Sequence, residues 1–163
     1  MTVVARAAVY AAIFMGVVLI VLPGRLLLWS GVARPTAVGV PQLAGIVVTI
    51  VGLGLALWCV LTFALVGKGT PAPFDPPRRL VVAGPYRFVR NPMYIGGGLA
   101  LAGAAFFYQS TPLLGYTGLF FLAAHLFVIW YEEPTLRQTF GTDYDAYRQQ
   151  VRRGWPRLRS PRS

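Results

Sequence analysis

The sequence has few of the residues from which soluble catalytic domains are built. Its 163 residues include one cysteine, one histidine and five acidic residues. The single cysteine, Cys59, excludes an intrachain disulfide and a cysteine-based metal site, and we predict no metal site. Only 12% of the residues are charged and 56% are hydrophobic, whereas soluble domains carry roughly 25% charged residues. The composition therefore excludes an ordinary soluble domain and indicates a membrane protein.

Hydrophobic runs dominate what remains. A transmembrane helix needs about 20 apolar residues to cross about 30 Å of hydrocarbon, and candidate spans lie at about 7–30, 41–67, 93–108 and 112–131. Pro23 and Gly24 are expected to kink the first span or to end it early. No internal repeat is evident. We therefore predict one all-α integral membrane domain over residues 1–163, with about four transmembrane helices, a cytoplasmic loop at 68–92 and amphipathic helices in the tail 132–163.

The basic residues indicate how the chain is oriented. The net charge is +10, and all but two of the 15 lysines and arginines fall in segments 1–6, 68–92 and 132–163; the exceptions are Arg25 and Arg34. By the positive-inside rule, both termini and the central loop are predicted to be cytoplasmic. This clustering beside the spans predicts membrane lipids as partners and no nucleic acid. Abundant arginine and scarce lysine point to a bacterial plasma membrane.

The end of the loop has the pattern of a helix start. Asparagine is a good N-cap and proline suits the first helical position, so Asn91 and Pro92 predict that the third helix begins there. The free N–H groups of such a start can receive a carboxylate or a phosphate. In Gly96–Gly98, the missing side chains allow another helix or a flat ligand to approach the backbone. These features predict a polar site at the membrane interface.

The tail begins with Glu132 and Glu133, directly after an apolar run. Carboxylates at this depth are costly unless they meet donors, so the pair is either hydrated at the interface or binds a polar ligand. We expect amphipathic helices to follow, with a break at Gly141. Their apolar side would carry Tyr144, Tyr147 and Val151, and their polar side would turn Arg148, Arg152 and Arg153 toward headgroups.

Three other polar residues have more than one interpretation. His125 lies seven residues before Glu132, which puts both on one face of an α-helix. A histidine within a span usually faces the bundle interior, so His125 either lines the path of a ligand or bonds a neighbouring helix. Arg87 and Arg90 are either snorkelling residues at the interface or part of an anion site.

Two motifs resemble those of a known family. The stretch Gly84 to Gly96, with the sequence GPYRFVRNPMYIG, resembles the signature of the isoprenylcysteine carboxyl methyltransferase family and its phospholipid methyltransferase relatives. So does the glutamate pair followed by Leu136, Phe140-Gly141, Tyr144 and Tyr147. The resemblance covers the C-terminal half, whereas residues 1–67 resemble the family only as hydrophobic spans.

The resemblance implies a helical membrane enzyme that binds S-adenosylmethionine between the loop and the tail and takes its acceptor from the bilayer. By motif, the implied cofactor contacts are Ala83, Gly84, Pro85, Tyr86, Asn91, Pro92, Met93, Tyr94 and Glu132. The implied catalytic residues are Arg90, Asn91 and Glu132, and His125 is the candidate for acceptor binding. Asn91 replaces the family's usual histidine, so a base at this position is not expected to be essential. Val128 replaces an acceptor-binding arginine of the prenylcysteine enzymes, which disfavours a prenylcysteine acceptor.

The predicted function is methyl transfer from S-adenosylmethionine to a lipophilic, membrane-embedded acceptor. A carboxylate acceptor needs no base, and the chain offers no strong base besides His125, so carboxylate O-methylation is favoured. One alternative is an NAD(P)H-dependent sterol-type reductase, a class with similar C-terminal spans but generally larger chains. The other is a non-enzymatic membrane scaffold in which the motif residues only pack and contact headgroups.

Overall fold

The computed structural model describes residue 9 and residues 12–67 and 79–154, and within these ranges the chain is helical without strands. The helices are α1 (Ala12–Trp29), α2 (Val40–Gly67), α3 (Pro92–Tyr108), α4 (Thr111–Phe127) and α5 (Glu133–Gln150). The predicted all-α membrane fold is confirmed. Residues 68–78, which form the first part of the predicted loop, and residues 155–163 of the tail lie outside the described ranges.

Three helices in this part of the chain are long and apolar enough to cross a membrane: α1, α2 and the continuous helix Thr111–Gln150. The last of these comprises α4, a π-helical turn at Val128–Glu132 and α5. The remaining predicted span, α3, is apolar but has 17 residues, so it extends over about 25 Å. The protein is an integral membrane protein.

Glycines bring α2 and α3 into backbone contact. A Cβ atom added to Gly45 would lie 2.6 Å from the carbonyl oxygen of Gly103, and one added to Gly52 would lie 2.5 Å from the nitrogen of Ala100. Gly96, on α3, likewise faces backbone atoms of α2. Membrane helices associate mainly by close packing, and small residues make that packing possible. This α2–α3 contact therefore fixes the position of the α3 N-terminus, where the site forms.

The triple glycine serves helix packing on two sides of α3. Gly96 faces α2, whereas Gly97 and Gly98 face the rings of Phe120 and Phe121 on α4. Of the two uses expected for these glycines, approach by another helix is the one the structure shows. They hold α3 between α2 and α4.

A proline shapes α1 without ending it. In the π-helical turn Val17–Val21, the N–H of Leu22 donates to the carbonyl of Val17. Pro23 has no N–H with which to continue this pattern to the carbonyl of Val18. The hydroxyl of Tyr116 on α4 donates to that carbonyl instead, at 2.9 Å. The helix continues to Trp29 rather than ending at Pro23-Gly24. The hydrogen bond to the carbonyl of Val18 links α1 to α4.

The described part of the tail is helical with a break at Gly141, as predicted. Gly141 interrupts α5 with φ 51° and ψ −122°, a left-handed conformation that favours glycine. Beyond this break, Tyr144, Tyr147 and Val151 are buried together. They pack against Leu80, Leu136 and Phe140. The predicted apolar side of the tail is therefore confirmed, and it covers the loop that precedes α3.

Candidate functional site

The first motif begins as a 3-10 turn, Gly84–Arg87, packed on the end of α2. Gly84 has φ +56°, and a Cβ atom there would lie 2.8 Å from Oγ1 of Thr62. Tyr86 is buried, and its ring packs edge-on against that of Phe63, with 5.0 Å between centroids. Met93 contacts the same cluster. The turn is thus held by α2 and has little freedom of its own.

The end of the tail holds the loop from the other side. The hydroxyl of Tyr147 donates to the carbonyl of Tyr86 at 2.7 Å. The N–H of Arg90 donates to the carbonyl of Arg152 at 2.9 Å, next to a parallel bridge between Val89 and Arg152. The loop and the tail, far apart in sequence, therefore form one layer at this end of the bundle.

Glu132 lies at the centre of this layer and accepts two hydrogen bonds. The hydroxyl of Tyr94 donates to it at 3.0 Å, and the side-chain amide of Asn91 donates to it at 3.4 Å. The helix start predicted at Pro92 is confirmed. The predicted N-cap bond of Asn91 is wrong, since its side chain makes none. Its backbone, at φ −123° and ψ 53°, departs from the extended conformation of ordinary N-cap residues, and its side chain reaches Glu132.

Glu133 forms an ion-pair network with two arginines. Arg90 donates to it at 2.9 Å, and Arg153 donates through Nε and Nη2, both at 2.6 Å. Burial alone would raise the pKa of Glu133, but the hydrogen bond from Arg153 and the charges of both arginines hold that pKa below its usual value. The prediction that Arg153 turns toward headgroups is wrong. The carboxylate, 12% exposed, draws the guanidinium inward because a charge at this depth needs a partner.

The two adjacent glutamates therefore meet different surroundings. Glu133 is neutralised by arginines, whereas the described residues give Glu132 only neutral donors and no cation within ion-pair distance. A carboxylate has about four acceptor positions, so Glu132 can still accept from a ligand. Nε of Arg90 is buried and, within the described ranges, has no hydrogen-bond partner. A carboxyl group that can still accept and a buried guanidinium nitrogen without a described partner thus occur in one site.

His125 is not part of this site. Its side chain is exposed on α4, although a seven-residue spacing was expected to place it on the face of Glu132. The π-helical turn Val128–Glu132 lies between the two residues. Such a turn adds one residue, which rotates the following helix by about 100° relative to an unbroken α-helix. A role for His125 in acceptor binding stays a prediction.

The other predicted residues fall into two groups. The structure brings together Arg90, Asn91, Tyr94 and Glu132. The other predicted cofactor contacts flank these residues in the chain, and three of them, Pro85, Tyr86 and Pro92, are buried. The remaining three are Ala83, Gly84 and Met93. Their contacts with a cofactor stay predictions.

Sequence reasoning missed the roles of Tyr147 and Arg153. Tyr147 was assigned only to the apolar side of the tail, and it also bonds the backbone of the first motif. The depth of Glu133 held a usable signal, because a carboxylate at that depth requires a donor. The tail arginines were the nearest candidates in sequence.

A comparison of the sequence with protein-family models identifies its family. The phospholipid methyltransferase model matches residues 40–143, a range that includes α2, α3, α4, the first motif and the second motif as far as Gly141. No curated protein and no solved structure matches the chain. The family lies in the same clan as the isoprenylcysteine carboxyl methyltransferases, so the predicted kinship is confirmed. The chain belongs to the phospholipid methyltransferase family.

Proposed function

We propose that the chain transfers a methyl group from S-adenosylmethionine to a lipid-like acceptor in the membrane. Membership in the family implies a methyltransferase that acts on membrane lipids. The observation that carries the proposal is the position of Glu132, which is held by Asn91 and Tyr94 and left without a cationic partner by the described residues. This arrangement leaves the carboxyl oxygens of Glu132 able to accept hydrogen bonds from a ligand that is positively charged or rich in hydroxyl groups.

The residues of the site suit the parts of S-adenosylmethionine. That molecule carries a sulfonium, an ammonium, two ribose hydroxyls and a carboxylate. Glu132 can accept from the hydroxyls or attract a positive group. Nε of Arg90, which is buried without an acceptor, and the free N–H groups at the start of α3 suit the carboxylate. The residues that would hold the cofactor are thus Arg90, Asn91, Tyr94 and Glu132.

When bound, the cofactor supplies a methyl group on a good leaving group, so the reaction asks little acid–base chemistry of the protein. Rate then depends on alignment and on exclusion of water. Asn91 and Tyr94 fix the Glu132 carboxylate, the Glu133 network fixes Arg90, and Tyr147 fixes the backbone of the first motif. Each of these contacts restricts the site before any ligand arrives, which reduces the cost of alignment.

For the acceptor we propose a lipid carboxylate. His125 lies outside the site, and a carboxylate needs no base before it attacks a methyl group. A headgroup amine of a phospholipid is the second candidate, because the family model describes phospholipid methyltransferases. Glu132, with its neutral partners, could also attract an ammonium group. The product distinguishes the two: a methyl ester releases methanol on mild alkaline hydrolysis, and a methylated amine does not.

The test of the site is a calorimetric titration of detergent-purified protein with S-adenosylhomocysteine. Hydrogen bonds to a charged group contribute about 1.5–3 kcal/mol, so Glu132→Gln should weaken binding by about tenfold or more. Asp145→Asn is the matched control, since it removes an exposed carboxylate of the tail, and it should bind as the wild type does. Equal affinity in Glu132→Gln and wild type would overturn the assignment.

The same titration, repeated with reduced nicotinamide dinucleotides, tests the two alternative functions, a reductase and a non-enzymatic scaffold. Binding of a nicotinamide cofactor without binding of S-adenosylhomocysteine would favour the reductase. Folded protein that binds neither ligand would favour a scaffold.

A further inference from the structure

A hollow of about 390 Å³ lies at the end of the bundle opposite Glu132. It is formed by the end of α1, the segment after α1 and the last residue of α3. Its apolar lining includes Ile20, Leu27 and Val32, and its polar lining consists of Arg25, Arg34 and Tyr108. Tyr94 and Tyr108 are separated by 14 residues of one helix, which corresponds to about 21 Å. The hollow is therefore separate from the Glu132 site.

Its two arginines receive no carboxylate from the described chain at this end. Arg25 and Arg34 are the only basic residues in residues 7–67, and residues 1–74 contain no acidic residue. The described carboxylates all lie at the other end: Glu132, Glu133, Asp143 and Asp145. Both arginines are exposed, so their guanidinium groups are open to a partner from outside the chain. An anion from outside the chain would complete this hollow.

The surroundings indicate what else the anion carries. Trp29, which ends α1, is 94% exposed, and exposed tryptophan at a helix end is typical of the membrane interface. The hollow thus lies near headgroup depth, and Ile20, five residues before Arg25 on α1, lies about 7.5 Å further toward the hydrocarbon. A free inorganic anion would leave that apolar lining uncovered, whereas a lipid would place its glycerol and upper acyl chains there.

We propose that this hollow binds the phosphate of an anionic phospholipid. Arginine matches phosphate with paired, charge-assisted hydrogen bonds, and Tyr108 can donate another. A net negative headgroup fits two guanidinium groups, whereas the ammonium of a zwitterionic headgroup is repelled by them. This site is independent of the methyltransferase site, so the bound lipid is not the acceptor.

The experiment is native mass spectrometry of delipidated protein in detergent, with dioleoyl phosphatidylglycerol and dioleoyl phosphatidylcholine offered together. The wild type should retain phosphatidylglycerol preferentially. The double variant Arg25→Gln with Arg34→Gln should weaken that retention about tenfold or more, because each lost charged hydrogen bond is worth about 1.5–3 kcal/mol. Arg79→Gln, which removes an exposed arginine away from the hollow, should have no effect.

Several results would overturn the proposal, beginning with unchanged retention in the double variant. Equal retention of the two lipids or an equal loss in Arg79→Gln would do the same. Complete displacement of the lipid by inorganic phosphate would identify a free-anion site and would also overturn it. If the double variant does not fold, the single variants Arg25→Gln and Arg34→Gln serve instead. Unchanged retention in both would also overturn it. Binding of S-adenosylhomocysteine, measured in parallel, should be the same in every variant and separates this site from the first.

Discussion

Removing the charge of Glu133 should destabilise the protein far more than removing any exposed carboxylate of the tail. In Glu133→Gln, Arg90 loses its only described ion-pair partner, and both side chains are 12% exposed. Breaking a buried pair by removing one partner costs about 3–5 kcal/mol, and the residual exposure places this case near 3 kcal/mol. Arg153 adds less than about 1 kcal/mol because it is 36% exposed and water screens its charge.

Asp145→Asn is the matched comparison, because it breaks pairs whose side chains are between 36% and 62% exposed. Such pairs are worth about 0.2–1 kcal/mol. The free energy of unfolding can be followed by tryptophan fluorescence as sodium dodecyl sulfate is titrated into detergent micelles. We expect Glu133→Gln to lose at least about 2 kcal/mol more than Asp145→Asn. Equal losses in the two variants would refute the claim that the Glu133 network holds the loop to the tail.

Three further predictions concern single contacts. Tyr116→Phe leaves the Val18 carbonyl without its donor and should cost about 0.6–1.7 kcal/mol in the same titration; no loss would contradict the tie between α1 and α4. Gly84→Ala places a side chain at a residue with φ +56° and against Thr62, so it should lower both stability and affinity for S-adenosylhomocysteine. The control is Gly54→Ala, where an added Cβ atom meets nothing within 4 Å, and it should leave both unchanged. The pKa of Glu133 in the folded protein lies below its ordinary 4.5. The stability that Glu133 contributes should therefore be complete above about pH 5 and be lost as the pH falls through the lower folded pKa. If the wild type kept a higher free energy of unfolding than Glu133→Gln in acid, this prediction would be contradicted.

The sequence predicted the features that depend on local chemistry. The hydrophobic runs predicted the helices, Asn91-Pro92 predicted the start of α3, and Gly141 predicted the break in α5. Tyr144, Tyr147 and Val151 were correctly placed on one buried side. These predictions held because helix length, proline, glycine and apolar spacing act over a few residues at a time.

Features that depend on contacts between distant segments were not predictable in the same way. The placement of His125 failed because a π-helical turn changed the rotation of the helix after it, and no residue pattern announces that turn. The cap expected at Asn91 failed because Glu132 competes for the same side chain. Arg153 was predicted to point toward headgroups, but its side chain donates to Glu133 instead. The cytoplasmic orientation of the loop and tail stays a prediction.

The proposed role of Glu132 and its neighbours is to hold a methyl donor for a lipid acceptor. The most direct measurement incubates the protein in liposomes of bacterial lipids with S-adenosylmethionine labelled in its methyl group, and then counts label in the organic phase. Wild type and Asp145→Asn should both transfer label to lipid, and Glu132→Gln should transfer at least about tenfold less. Label transfer by Glu132→Gln at the wild-type rate would show that Glu132 is not needed to hold the methyl donor.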